Sequence, residues 1–143
     1  MMILTKRLTE TAKLPTRAHP GDAGFDLYAD ETVMIGSSQW ALVKTNVALA
    51  LPYGTCALIC PRSGLALKHG VTVLNAPGIV DNGYRDGIGV ILINHGPIPF
   101  PVIPGMRIAQ LVLFYPGANE QFQSISVLPE SVRGENGFGS TGI

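Results

Sequence analysis

The chain has 143 residues, ten Lys+Arg against ten Asp+Glu, with 46% hydrophobic and only 14% charged residues. That length suits one domain with its own core, and the apolar fraction sets aside a disordered chain. The balanced charge excludes a broad basic face for nucleic acid or an anionic membrane, so any phosphate chemistry must be local.

The low charge density also implies surface buried between subunits. In chain order, the opening MMILTKRLTE meets charges too early for a signal peptide, and nowhere are 18 apolar residues consecutive. A soluble cytoplasmic protein is expected. The segment DAGFDLYAD then sets Asp22, Asp26 and Asp30 close together. Beside a phosphate site such carboxylates suit Mg²⁺, which takes one or two carboxylates plus phosphate oxygens and water. Alone, they read as a solvated acidic edge.

Short runs follow that are rich in β-branched and aliphatic residues and bounded by Gly and Pro: VALALP, TCALIC, GVTVLN, IGVILIN and RIAQLVLFY. Several are apolar on both faces, as in strands packed between two sheets or against a neighbour. No long 3.6-residue period occurs, so the pattern predicts an all-β sandwich or barrel. Cys56 and Cys60 share a strand face but lie too far apart to bridge, and His19, His69 and His95 are scattered, a poor zinc signature.

One short helix is predicted in PRSGLALKHG, with Ser63 able to cap it and Gly70 able to end it. Its start offers the Arg62 guanidinium, a hydroxyl and free N–H groups, a local anion site. An ordinary N-cap with a surface arginine explains the same residues. NAPGIVDNGYRDG carries two turn signals and crowds Asn75, Asp81 and Tyr84 into one lobe. HGPIPFPVIPG, residues 95–105, reads as an edge or subunit-contact loop. In PGMRIAQLVL, Arg107 and Gln110 are three apart and would face opposite sides of a regular strand. The ending RGENGFGSTGI combines glycines, Arg133, Phe138 and the hydroxyls of Ser140 and Thr141, loosely like a phosphate-cradling loop but without a Walker A pattern.

Each segment alone has an ordinary explanation; their order does not. AGFDLYA, PRSGLALKHG, NAPGIVDNGYR, GMRIAQLVL and RGENGFGSTG, in that sequence over about residues 20–142, resemble the five motifs of the homotrimeric dUTP pyrophosphatases, the dUTPases. The resemblance implies a jelly-roll-like β domain over residues 1–132. It also implies a C-terminal arm, 133–143, that closes over active sites shared between three subunits. It implies hydrolysis of dUTP to dUMP and pyrophosphate with Mg²⁺ on the triphosphate.

By the same resemblance, Asp81 is the catalytic aspartate that activates water. Tyr84 lies against the deoxyribose, and Asn75 with the backbone of Gly78, Ile79, Val80 and Gly89 reads uracil. Arg62, Ser63, Gly64 and Gln110 meet the phosphates, and Asp26 stands near Mg²⁺ through a coordinated water. Arg107 would support structure beside Asp81. In the arm, Phe138 would stack on uracil, with Arg133, Gly139, Ser140 and Thr141 around it and the γ-phosphate. Three departures stand out: Asp86-Gly87 in reversed order, Met106 where an acidic residue is frequent, and Asn46 in place of glycine. The reversed order bears on the turn leaving the hairpin and on Gly89. Deaminases of related fold differ in the Arg-Ser-Gly motif and lack the glycine-rich arm. A nucleotide-gated role toward a regulatory protein partner would leave no motif and stays open as an added role.

Overall fold

Where short apolar runs lie between turn formers, the chain forms strands. The structure is a computed structural model and describes residues 2–136. Its strands are β1 (Leu4–Arg7), β2 (Gly24–Tyr28), β3 (Val33–Ile35), β4 (Trp40–Lys44), β5 (Val47–Ala50) and β6 (Cys56–Cys60). The helix α1 (Ser63–His69) precedes β7 (Val71–Val73), β8 (Gly78–Asp81), β9 (Gly89–Asn94), β10 (Phe100–Val102) and β11 (Arg107–Phe114). All pairings are antiparallel, which matches the all-β, jelly-roll-like reading. One sheet runs β2-β11-β6-β8, a second runs β4-β9-β7, and β1-β5 and β10-β3 form two flanking pairs.

The core lies between the inner faces. Leu27, Ala57, Ile59, Ala109 and Leu111 from the four-stranded sheet meet Val43, Val71, Val73, Val90 and Leu92 from the three-stranded one. Strand periodicity of two sends the alternate residues outward. On the three-stranded sheet these are also apolar: register sets Trp40 opposite Ile93 and Leu42 opposite Ile91. Trp40 and Leu42 are more than half exposed, so this outer face is a hydrophobic patch. Both cysteines are free, as the four-residue spacing within β6 requires.

The 95–105 run is anchored from inside. Asn94 is fully buried, donates to the carbonyls of Ile35 (3.0 Å) and Ile98 (2.8 Å), and accepts from the Gly96 N–H (2.9 Å). Pro101 follows within β10, on an edge where its missing N–H costs nothing to the ladder. Beyond Phe114, residues 115–136 form no helix or strand, and their side chains are exposed.

A second polar knot fixes the N-terminal segment. Asn46 takes the left-handed conformation, φ 52°, which asparagine tolerates. Unlike glycine there, it also donates from Nδ2 to Asp30 at 2.8 Å, while Thr9 donates to the same carboxylate oxygen. Burial pushes the Asp30 carboxyl up, but the hydrogen bonds from Thr9, Asn46 and Thr11 together outweigh it and hold it below its ordinary value. A carboxyl lowered in the folded state stabilises at neutral pH, and that contribution is lost as pH falls below 3.8 through the folded value. Asp30→Asn should therefore cost about 1 kcal/mol in urea unfolding at pH 7, modest because the group is partly solvated. The gap from wild type should close as the pH is lowered below 3.8. A gap that persists into strong acid would show that the charge plays no part.

Candidate active site

Asp26 is the centre of the first polar cluster. Its Oδ1 lies 3.1 Å from Arg62 Nε and its Oδ2 3.6 Å from Arg107 Nε. Arg62 also donates from Nη1 to the Arg107 carbonyl at 2.9 Å, so one guanidinium ties the start of α1 to β2 and β11. Arg107 reaches Asp26 because the β11–β2 register shifts between Arg107 and Ala109. The extra residue of this β-bulge makes Ile108 and Ala109 consecutively buried and turns Arg107 onto the face that carries Gln110. The expectation of opposite faces assumed a regular strand, and the bulge overturns it. Within one chain, Arg107 also supports Asp26 and not Asp81.

Gln110 donates from Nε2 to the Pro61 carbonyl at 2.9 Å, fixing the residue before the arginine. It lies over Gly24, where a Cβ would come within 2.3 Å of its Oε1. The N-cap of α1 is Arg62, not Ser63, with no side-chain cap bond; Ser63 is the first helical residue. The N–H groups of Ser63 and Gly64 thus have no intrahelical acceptor, and a Cβ on Gly64 would meet nothing within 4 Å. Together Arg62, Ser63, Gly64 and Gln110 present donors to open space, a seat for phosphoryl oxygens.

Asp22, Asp26, Gly24 and Gln110 line a polar cavity of about 240 Å³. No group of three or more His, Cys, Asp or Glu able to hold a metal occurs among the described residues. Both Asp26 oxygens already face guanidinium groups. The donor set therefore fits a hydrated Mg²⁺ whose inner ligands come from phosphate and water, and not an all-protein cage.

The second cluster stands at the far corner of the same sheet. β8 pairs with β6 on one side only, so alternate backbone N–H and C=O groups along Gly78–Asp81 face an outer edge without a ladder partner among the described residues. Asn75 packs its Nδ2 where a Cβ on Gly78 would be 3.1 Å away, so the glycine lets the amide lie against the strand. Asp81 ends β8, opposite Cys56, and its carboxylate has no hydrogen bond or ion pair among the described residues. The turn Asp81–Tyr84 is closed by a 3.1 Å backbone bond. Tyr84, half exposed, donates from its phenol to the Gly87 carbonyl at 3.2 Å. With the reversed order, Asp86 accepts from the Gly87 N–H at 2.7 Å, and Tyr84 is pinned across that turn. Gly89 belongs to β9, paired with Lys44, and a Cβ there would come within 2.6 Å of Leu42 Cδ1.

Register places Asp26, Gln110 and Asp81 on the same outward face: Asp26 pairs with Gln110, Gln110 with Cys60, and Cys56 with Asp81. Three strands across and four residues along separate Asp26 from Asp81 by about 20 Å. One chain therefore does not bring its two clusters together. Between them the face carries Leu58, Val112, Ile79 and Phe114, apolar and partly or largely exposed. Arg133 donates to the Asn136 carbonyl within its own segment. Phe138, Gly139, Ser140 and Thr141 lie outside the described residues.

The dUTPase family model matches residues 10–142. The chain belongs to the dUTPase family. It is 51% identical over 143 residues to the deoxyuridine 5′-triphosphate nucleotidohydrolase of Crocosphaera subtropica, covering all of both chains. Among solved structures it is similar to the Staphylococcus bacteriophage 80alpha dUTPase with dUPNHPP: TM-score 0.91, 29% identity, and 99% of each chain covered. A dUTPase mutant from phage phi11 of S. aureus, whose structure concerns coordination of a structural Mg(II) ion, gives 0.82 at 25% identity, covering 91% of this chain and 100% of that one.

Missed by the sequence reading were the bulge and the role of Gly24. A glycine two residues before the motif aspartate, whose strand partner is Gln110, was the available signal. Gly24→Ala should displace Gln110 and lower kcat/KM about tenfold, with the melting temperature within about 3 °C of wild type. Gln110→Ala should do the same, and the double variant should be no worse than either. A further loss in the double variant would show that Gly24 acts by another route.

Proposed function

We propose that Asp81 activates the water by which this dUTPase-family enzyme hydrolyses dUTP to dUMP and pyrophosphate, in a site completed by a second and a third copy of the chain. The observation that carries this is the separation of the two clusters on one outward face with apolar residues between them. A neighbouring copy covering those residues buries them and sets its own Asp81 corner against the Asp26 corner of the first. The exposed Trp40 and Leu42 beside Ile91 and Ile93 offer a second apolar surface for the same homotrimer.

The chemistry then follows from the parts. Uracil presents acceptor, donor and acceptor along O2, N3–H and O4, which the open edge of β8 and the Asn75 amide can meet. Cytosine reverses the last two and leaves buried groups unpaired. The Tyr84 ring, held by the Gly87 carbonyl, lies against the deoxyribose and leaves no room for a 2′-OH. Arg62, Ser63, Gly64 and Gln110 of the adjoining copy hold the phosphate chain, with Asp26 positioning Arg62. The unpaired Asp81 carboxylate accepts a proton from the water attacking the α-phosphorus, and pyrophosphate leaves. Mg²⁺, reached by Asp26 through water, supplies charge neutralisation on the triphosphate and the departing group. The 133–143 arm closes the site, Phe138 over the base and Arg133, Gly139, Ser140 and Thr141 at the γ-phosphate, which excludes bulk water. The reading places the enzyme in the cytoplasm, where the nucleotide pool is.

Two measurements test this. Pyrophosphate release from dUTP, dCTP, dTTP and UTP should favour dUTP by on the order of 10³ or more. Asp81→Asn should lower kcat by on the order of 10² to 10⁴ while dUTP binding persists. Turnover near wild type in that variant would remove Asp81 from the chemistry. Separately, inactive Asp81→Asn and inactive Arg62→Ala chains, unfolded together and refolded as a mixture, should regain activity, because mixed assemblies contain some intact shared sites. No recovery, or a solution mass of one chain, would place the whole site within a single subunit.

A further inference from the structure

On the side of Arg107 away from α1, a cavity of about 610 Å³ opens between the N-terminal segment and the start of β11. Arg7, Lys13 and Arg107 line it with Thr11, Thr16 and Tyr28, and Glu10 is the carboxylate among its lining residues. We propose that this cavity is an accessory binding site for condensed phosphate, of the pyrophosphate class, separate from the nucleotide site but sharing Arg107 with it.

Three features support it. First, neither Arg7 nor Lys13 has a carboxylate within 4 Å among the described residues, so both charges are uncommitted. Arg107 is engaged with Asp26 through Nε, and its terminal amino groups have no acceptor among the described residues. Arg7 and Lys13 against Glu10 leave a net positive cavity, with the Arg107 charge shared with Asp26, and close like charges favour a polyvalent anion.

Second, Lys13 is placed and not merely projecting. Its ammonium lies 5.7 Å from the centroid of the Tyr28 ring, which holds a cation over its face. Gly105, at φ 84°, leaves the space that the ammonium uses: a Cβ there would stand 2.9 Å from Nζ. Third, the opposite wall is polar and ordered. The Thr16 hydroxyl and the Tyr28 phenol are hydrogen-bonded to each other at 2.5 Å, and Thr16 is bridged through its backbone to Asp26. The buried Ala12 beside them is fixed by its N–H donating to Thr9 at 3.2 Å. The Thr16–Tyr28 pair keeps one hydroxyl proton free to donate to a phosphoryl oxygen, while Arg7, Lys13 and Arg107 supply charge-assisted bonds. A pyrophosphate has two phosphoryl groups with which to engage the three cations at once.

Pyrophosphate is also the product of dUTP hydrolysis, but Arg7, Lys13 and Glu10 have no role in that reaction, so blocking the nucleotide site separates the two. The full chain is titrated calorimetrically with pyrophosphate in the presence of saturating dUPNHPP, so that only binding outside the nucleotide site is read. Wild type should still bind pyrophosphate. The double variant Lys13→Gln, Arg7→Gln should bind it about tenfold or more weakly, with kcat/KM for dUTP unchanged. Glu10→Gln removes the opposing charge and should tighten binding two- to threefold by rough estimate, a gain that misfolding cannot mimic. If dUPNHPP abolishes all pyrophosphate binding, or if all three proteins give the same isotherm, the accessory site does not exist.

Discussion

One carboxylate between two guanidinium groups is the interaction on which the phosphate end of the proposed site depends. Asp26 meets Arg62 from the entry to α1 and Arg107 from the bulged end of β11. Arg62 and Arg107 are respectively about one-third and one-half exposed, so each pair contributes only a modest stability, on the order of 1 kcal/mol or less. Their larger effect is positional. Two cations and one anion leave a net positive charge facing open space, held by hydrogen bonds from Arg62 to the Arg107 carbonyl and from Gln110 to the Pro61 carbonyl. A phosphate chain arriving there finds donors whose orientation is already fixed, which lowers the ordering cost of binding.

The same constraint explains why the β11 bulge is placed where it is. A regular strand would send Arg107 to the opposite face from Gln110, either into the core or away from Asp26. One extra residue, taken up by burying Ile108 and Ala109 in succession, gives both side chains to the site without breaking the pairing of Gln110 with Asp26 and Cys60. The turned Arg107 then borders two cavities, one toward α1 and a polar one toward Lys13 and Tyr28. The cavity of about 1000 Å³ on the α1 side, walled by residues 96–101, meets the phosphate cluster only at Arg62 and Arg107. Its mainly apolar lining gives it no part in the chemistry derived above.

The sequence made five strands and the helix readable because each is a short aliphatic run closed by Gly, Pro or a polar turn: VALALP, TCALIC, GVTVLN, IGVILIN and RIAQLVLFY, with PRSGLALKHG between. β2 was hidden because Asp26 interrupts its apolar pattern, and β8 because two turn signals surround only four residues. The site residues were legible as ordered motifs, and the structure gathers Asp26, Arg62, Ser63, Gly64 and Gln110 at one corner, Asn75, Gly78 and Asp81 at the other. What periodicity cannot carry is a bulge, since Ile108-Ala109 reads like any apolar pair. For that reason Arg107 and Gln110 were placed on opposite faces, and the ion pair of Arg107 with Asp26 within one chain was missed. The helix cap was misplaced by one residue for a related reason: Ser63 has capping chemistry, but extended backbone at Arg62 puts the boundary one step earlier.

Splitting the proposed site between copies has a thermodynamic consequence. A nucleotide held at its base by one chain and at its phosphates by another binds the assembly and not the separated chains. Its free energy of binding is then added to subunit association, growing with the logarithm of nucleotide concentration above its dissociation constant. By the same linkage, whatever loosens the apolar contact around Ile79, Leu58 and Phe114 weakens nucleotide affinity without touching a ligand-binding side chain. On that proposal the hydrophobic residues left on the outward face are part of the site, since covering them would set the distance between the Asp81 of one copy and the phosphate seat of another.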